Sequence, residues 1–237
     1  MNSFFIFATL LHILRRMKEN TTYIYEEQGD AHASNSLETP IVASYLQQDD
    51  AHKIHTIERH FAEIMKTLGL DLEDDSLKGT PYRVAKMFVK ELFSGLSEEN
   101  KPVVSIFENK YQYSKLLIEK NIQLYSACEH HFLPIIGKVH VAYVSSGNVI
   151  GLSKINRIVQ YYAKRPQVQE RLTLQIYNEL KQILDTEDVL VMLDAQHLCV
   201  SMRGIEDTTS STVTLEFGGC FNDEQKRTEC LTLIHGT

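Results

Sequence analysis

The sequence predicts an α+β fold, on two observations. First, four stretches have the apolar and β-branched content of strands, and they are residues 117–125, 139–144, 188–203 and 211–217. Second, a pair of amphipathic helices separates the second strand from the third, with Arg165-Pro166 between the two helices. Antiparallel strands that carry a helix pair on one face form an α+β domain.

Two further helices are predicted before the strands. Apolar side chains recur at helical spacing over residues 51–69. Thr80 and Pro81 begin the next helix, with the threonine as N-cap and the proline at the first helical position, and it ends near Gly95. Arg83 lies in its first turn, where the helix dipole disfavours a positive charge. Arg83 is therefore either an ordinary exposed arginine or a group that meets an anionic partner.

The helix pair and the end of the chain complete the predicted organisation. Ser153 is predicted to cap the first helix of the pair, and the second helix covers residues 168–184. A polar helix follows the last strand. The chain then divides into a flexible N-terminal extension at 1–50, an N-terminal helical region at 51–100 and the main domain at 101–237.

Composition excludes some classes of protein. The chain has 237 residues, 43% of them hydrophobic, and a formal net charge of −7. A nucleic-acid-binding protein is normally basic, so none is expected as a partner, and an anionic substrate would need a local basic cluster. Four cysteines without a secretory signal indicate free thiols in a reducing compartment, which predicts a cytoplasmic protein.

The first residues do not have the order of charges found in a secretory signal. An apolar run from Phe4 to Leu14 is too short to span a bilayer, so no membrane association is expected. The positive charges follow this run instead of preceding it. Two interpretations stay open: an amphipathic organelle-targeting segment, or a true start at Met17 instead of Met1.

The strongest functional signal is a pair of short motifs rich in cysteine and histidine. Cys128 and His131 have the Cys-x-x-His spacing that lets one turn bind a metal ion, and Cys199 supplies a distant third ligand. Two thiolates and one imidazole suit zinc, and three protein ligands leave a position open for water. His130 and His197 lie next to these ligands and remain free for proton transfer.

The second motif is predicted to continue the third strand. In a strand that continues to residue 203, His197, Cys199, Ser201 and Arg203 share one face. The alternative is that Cys199 is a small buried apolar residue and His197 an edge histidine. The Cys-x-x-His spacing upstream favours the metal site.

Basic and acidic side chains near the helix pair suggest how an anionic substrate binds. Ser153, Lys154 and Arg157 surround a helix N-terminus, a favourable place for phosphate, although ordinary surface charges are the alternative. Gln169 and Glu170 lie in the first turn of the next helix. Glu170 either complements that helix dipole or accepts the two adjacent N–H donors of guanine.

These residues resemble the type I, zinc-dependent GTP cyclohydrolases over roughly residues 53–235. One departure is Cys230, where a larger apolar residue is expected. The segments that carry the resemblance are Thr80–Met87, Cys128–His131, Gly151–Arg157, Arg165–Leu172 and His197–Gly204.

The resemblance implies a fold, an assembly and a reaction. The fold is the tunnelling fold, in which the sheets of several subunits join into barrels, and the assembly is a homodecamer of two pentamers with active sites between subunits. The reaction converts GTP and water to formate and 7,8-dihydroneopterin triphosphate, the first step towards folate or tetrahydrobiopterin.

The resemblance also implies residue roles. Zn²⁺ is bound by Cys128, His131 and Cys199, and its water attacks C8 of guanine. His197 protonates N7, His130 is a second acid–base group or a substrate hydrogen-bonding group, and Ser153 assists the ribose rearrangement. The implied substrate-binding residues are Leu152, Gln169 and Glu170, with the last two at the guanine edge, and Lys154, Arg157, Arg203 and a neighbour's Arg83 at the triphosphate.

Two rival interpretations remain at this stage. One is a related tunnelling-fold enzyme, such as a nitrile reductase of deazaguanine metabolism, which uses a cysteine nucleophile and lacks the three-ligand zinc set. The other is a non-catalytic zinc-binding module, which predicts a fourth protein ligand and no role for His197.

Overall fold

The computed structural model describes residues 36–236, which belong to one compact unit. The predictions for Phe4–Leu14 and for Met17 lie outside the described residues. The proposed boundaries at residues 50 and 100 stay predictions. No helix within residues 36–236 is both long enough and apolar enough to cross a bilayer.

Seven α-helices and seven strands are numbered here along the described residues. The helices are α1 (Ala43–Leu46), α2 (Asp50–Thr67), α3 (Thr80–Met87), α4 (Leu152–Ala163), α5 (Gln169–Leu184), α6 (Leu198–Ser201) and α7 (Glu224–His235). A π-helical turn, Phe88–Leu92, directly continues α3. The strands are β1 (Ile106–Glu108), β2 (Leu116–Cys128), β3 (Pro134–Val144), β4 (Asn148–Ile150), β5 (Pro166–Gln167), β6 (Val189–His197) and β7 (Thr212–Phe217).

The main sheet has five strands in the order β5-β2-β3-β6-β7. All neighbours are antiparallel except β2 and β5, which pair in parallel through Cys128 and Gln167. The predicted α+β class is therefore confirmed. The end of β2, the start of β3 and the end of β6 meet at one end of the sheet, because Ile135 pairs with His197.

Helices cover both faces of this sheet. Alternating side chains of β3 separate the faces: Val139 and Val141 pack in a core with α4 and α5, whereas Ala142 packs in a second core with α7. Cys230 is fully buried in the α7 core, and it is a free thiol. A small residue at this position therefore fills space in the core and has no part in the chemistry.

Three predicted boundaries were wrong. The third predicted strand ends at His197 and not at residue 203, because its ladder with β3 ends at Ile135 and β7 pairs no further than Ala195. The helix α3 takes Gly79 as its N-cap, so Thr80 is already helical. Similarly, Gly151 is the N-cap of α4, which makes Ser153 the second helical residue and not the cap.

Candidate active site

Three predicted ligands converge at the hairpin end of the sheet. Cys128 is the last residue of β2, His131 lies in the turn that follows, and Cys199 lies in α6. Their ligand atoms all lie within 4.8 Å of one another. The short helix after β6 brings Cys199 to this position, so the site forms although the predicted strand does not continue beyond His197.

Backbone hydrogen bonds and one aromatic contact hold the turn between β2 and β3. The N–H of Cys128 donates to Leu133 O at 2.8 Å, and the N–H of Phe132 donates to Cys128 O at 2.8 Å. Phe132 takes a left-handed conformation with φ 55°. Its ring packs against Phe93 with centroids 5.1 Å apart, which ties the turn to the segment after α3.

The donor set fits a thiophilic divalent cation. Burial and the neighbouring Cys128 thiol raise the pKa of the Cys199 thiol to about 11. Two adjacent thiols cannot both ionise readily without a positive charge between them, and a metal ion supplies that charge. Two sulfurs and one imidazole within bridging distance are the ligands that zinc prefers.

His197 is oriented by Gln169, a buried residue at the start of α5. The His197 Nε2 lies 2.8 Å from Gln169 Oε1, while the Gln169 amide nitrogen donates to the carbonyl oxygens of Leu193 and Thr212. Those carbonyls can only accept, so the amide oxygen must face the histidine. His197 Nε2 therefore carries a hydrogen, and in the neutral ring Nδ1 is the nitrogen that can exchange a proton.

Burial lowers the pKa of His197, with a smaller opposing effect from the Glu170 carboxylate. Glu170 itself is exposed, one residue after the buried Gln169. The first turn of α5 thus places the Gln169 side chain inside the protein, against His197, and the Glu170 side chain in solvent. The Gln169 amide is used within the chain. Its predicted direct contact with guanine stays a prediction.

His130 and Arg203 complete the surroundings of the three ligands. His130 Nδ1 lies 3.7 Å from Cys128 Sγ, and its side chain is 39% exposed. The Arg203 guanidinium donates to His131 Nε2 at 2.7 Å. A cation and an exposed imidazole therefore border the metal-binding group, although Arg203 follows α6 instead of lying on a strand.

The predicted phosphate-binding residues at the start of α4 lie far from the metal-binding group of the same chain. The helix runs along β2 in the same direction, since Asn156 donates to Glu119 Oε1 at 3.3 Å and Gln160 donates to Gln123 O at 2.6 Å. Nine residues separate Glu119 from Cys128, roughly 30 Å of extended strand. The start of α4 is thus distant from Cys128, His131 and Cys199 of the same chain. It carries the exposed Leu152, Ser153 and Arg157 and the half-buried Lys154.

Two further placements complete the comparison with the sequence predictions. Arg83 is exposed and donates to Thr80 Oγ1 at 2.8 Å and to Ser76 O at 3.3 Å, both close to it in the chain.

The structure also shows an ion pair, between Glu129 and Arg171, that sequence reasoning missed. The Glu129 carboxylate could be seen in the sequence, inside the Cys128–His131 motif, but nothing there identified Arg171 as its partner.

The fold and the site together define a class of protein. A Cys-His-Cys metal-binding group at one end of an α+β sheet, with a second histidine held beside it by a buried amide, is the arrangement of a metal-dependent enzyme and not of a structural metal site. Within residues 36–236, Cys128, His131 and Cys199 have no fourth histidine, cysteine or carboxylate ligand with them.

Comparison with known proteins gives the family. A family model described as GTP cyclohydrolase I matches residues 57–235. A protein named GTP cyclohydrolase 1 from Flavobacterium johnsoniae is 57% identical over 215 residues, which cover 91% of this chain and 96% of the relative. Proteins of the same name from Aeromonas hydrophila and Pasteurella multocida are 52% and 50% identical, covering 81% and 89% of this chain and 87% and 96% of their own lengths.

The chain therefore belongs to the GTP cyclohydrolase I family. The predicted family, the enzyme assignment and the action on GTP are confirmed by this membership.

Proposed function

We propose that the chain converts GTP and water to formate and 7,8-dihydroneopterin triphosphate at a zinc site formed by Cys128, His131 and Cys199. The observation that carries this proposal is the convergence of three donor atoms within 4.8 Å, beside a histidine whose tautomer is set by the protein. Bound zinc would lower the pKa of a coordinated water towards neutrality and make it a nucleophile for C8 of guanine.

Proton transfer is assigned to two histidines. His197 exchanges a proton at Nδ1, because Gln169 Oε1 holds the hydrogen on Nε2. Its predicted substrate atom is N7 of guanine, which must be protonated as the imidazole ring opens. His130 is exposed next to Cys128 and serves as the second acid–base group.

Recognition of guanine is assigned to the first turn of α5. Glu170 is exposed, and a carboxylate accepts from the N1–H and the exocyclic amine of guanine together. Gln169, beside Glu170, is assigned to the same guanine edge and also orients His197. Leu152, which is 51% exposed at the start of α4, offers an apolar contact to a substrate bound there.

Two groups of residues are assigned to the remaining substrate contacts. Arg203 lies beside His131 and binds the triphosphate from the metal side. Lys154 and Arg157 bind it from the start of α4, where free backbone N–H groups favour phosphate, and Arg83 joins them from another subunit. Ser153, at the same helix start, assists the ribose rearrangement.

This distribution supports an oligomer. Roughly 30 Å of strand separates the start of α4 from the metal-binding group of the same chain, which is too far for one GTP to contact both. The active site is therefore completed by a neighbouring subunit, and the assembly is a homodecamer built as a tunnelling fold. In such an assembly each subunit supplies the metal end of one site and the α4 end of another.

One experiment tests this function directly. The purified enzyme should contain stoichiometric zinc and should release formate from GTP, with a product that fluoresces after oxidation. Cys199→Ser should lose the bound zinc and lower formate release by at least about 10²-fold, since the thiolate is a ligand. Activity that persists in zinc-free Cys199→Ser would contradict the metal-water mechanism. Zinc without formate release would instead favour a non-catalytic module.

A further inference from the structure

We propose that Glu129 and Arg171 are a positioning pair that fixes the metal-binding turn onto α5, and that the segment Ser36–Thr39 completes this contact. The inference rests on the proposed metal site and goes beyond it, because neither residue is assigned there as a ligand or as a substrate contact. Glu129 lies between the ligand Cys128 and the exposed His130, so whatever holds its side chain also holds the turn.

The geometry of the pair is that of a strong ion pair. Arg171 Nη1 lies 2.6 Å from Glu129 Oε2, and Arg171 Nη2 lies 3.4 Å from Glu129 Oε1. The side chain of Arg171 is 3% exposed and that of Glu129 is 20% exposed. Two N–H donors on two carboxylate oxygens restrict both the position and the rotation of the carboxylate. Removing one partner of a contact so shielded from solvent leaves the other charge buried and unpaired, which is more disruptive than breaking a surface salt bridge.

The backbone of Glu129 is anchored on the same side. Its N–H donates to Gln167 O at 2.9 Å, next to the parallel pairing of β2 and β5. The side chain and the main chain of Glu129 thus bind two successive segments, β5 and α5. Its carboxylate is engaged by Arg171 and lies 3.9 Å from His130 Nε2, so Glu129 is placed to orient the flanking residues Cys128 and His130.

A third contact brings the N-terminal segment to the pair. Arg171 Nε donates to Ser36 O at 3.0 Å, and Gln175, one helical turn later, donates to Glu38 Oε2 at 3.0 Å. Thr39 is buried, with 7% of its surface exposed. One guanidinium therefore joins the metal-binding turn, the helix α5 and the segment Ser36–Thr39.

Some residues orient metal ligands without binding the metal themselves. Replacing such a residue typically weakens metal affinity by about 10- to 100-fold. Glu129→Gln keeps the size of the side chain but removes its charge, and Arg171→Lys keeps the charge but removes the paired geometry. Both variants should release zinc to a competing chelator about 10-fold faster than the parent enzyme. Both should lower kcat more than they raise KM for GTP, since neither residue binds substrate.

Glu179→Gln is the matched control. Glu179 is also on α5, its side chain is 11% exposed, and it pairs with Lys101 Nζ at 2.8 Å. It has no contact with the metal-binding turn among the described residues. This variant should lose stability to a similar degree while keeping the zinc release rate of the parent. Equal acceleration in Glu179→Gln and Glu129→Gln would show a general loss of stability and overturn the proposal.

A metal-free measurement separates this inference from the proposed function. Hydrogen–deuterium exchange of residues 128–133 in the chelator-treated protein should be faster in Glu129→Gln and in Arg171→Lys than in the parent. Unchanged exchange in both would overturn the positioning role even if zinc and activity were present. A parent enzyme without zinc would instead contradict the proposed function. If Glu129→Gln does not fold, Glu129→Asp, which withdraws the charge by one methylene, should show the same effects in smaller degree.

Discussion

Two neighbouring residues, Gln169 and Glu170, have opposite environments and therefore different tasks. Gln169 is buried, and both ends of its amide are used: the nitrogen meets backbone carbonyls and the oxygen meets His197. Glu170 is exposed beside it. A helix rotates by about 100° per residue, so consecutive side chains point in different directions. The result is one residue that orients His197 and one that is exposed to solvent, where our proposal places the substrate.

Glu170→Ala should reduce discrimination between GTP and ATP or ITP. The carboxylate would accept two hydrogen bonds from guanine, and losing a charged hydrogen bond costs about 1.5–3 kcal/mol, or roughly 10- to 100-fold in kcat/KM for GTP. Zinc content should not change, because Glu170 is not a ligand. Competition kinetics with the three nucleotides measure the preference. An unchanged preference for GTP would show that another group recognises guanine.

At the scale of the element, the bulge in β2 depends on a neutral histidine. The register between β2 and β3 shifts between Glu119 and Ile122, and Asn121 takes a left-handed φ of 62°. The N–H of Asn121 reaches the buried His140 Nδ1 at 3.4 Å. Burial lowers the pKa of His140, and the nearby His235, Lys138 and Lys120 lower it further, against an opposing effect of Asp194. Protonation of Nδ1 would remove the acceptor.

The stability of the fold should therefore fall in mild acid. Because the pKa of His140 is lower in the folded state than its unfolded value of about 6.5, the unfolded chain binds the extra proton. The stabilisation is present above about pH 6.5 and is lost as the pH falls towards the folded pKa. His140→Gln, which still offers an acceptor, should show a smaller decrease in Tm between pH 7.5 and pH 5. His60→Gln, at an exposed position on α2, is the control and should keep the acid sensitivity of the parent.

At the scale of the whole molecule, the proposed site needs more than one copy of the chain. Arg83→Ala should raise KM for GTP without dissociating the oligomer, since within residues 36–236 the hydrogen bonds of Arg83 go to residues close to it in sequence. Co-expression of Arg83→Ala with His197→Ala should restore activity, because each subunit keeps the residue that the other lacks. Random assembly of equal amounts should leave about a quarter of the sites with both residues intact.

Hybrids of His197→Ala with Cys199→Ser give the matched control. Both residues belong to the metal end of the same chain, so no mixture can place the two intact residues in one site. These hybrids should remain inactive. If the Arg83→Ala and His197→Ala hybrids were no more active than the two parents combined, with mixed oligomers verified by mass spectrometry, Arg83 would serve its own subunit.

Much of the architecture and the three candidate metal ligands followed from the sequence by itself. Helical periodicity located α2 and α5 to within about two residues. Cys128 and His131 could be paired because four residues of one turn are close whatever the fold, and Cys199 followed from ligand chemistry. The three side chains do converge, and they could be selected from the sequence because the selection depends on local spacing and on which donor atoms a metal prefers.

Only the tertiary structure decided where strands end and which distant side chains meet. β6 stops at His197 because its ladder partners stop, and strand pairing is a property of two segments, not one. The contact of Gln169 with His197, and that of Glu129 with Arg171, join residues far apart in the chain through packing of α5 on the sheet. The separation of Ser153 from Cys128 also depends on packing. The direction in which α4 runs along β2 is set by the whole buried face of the helix.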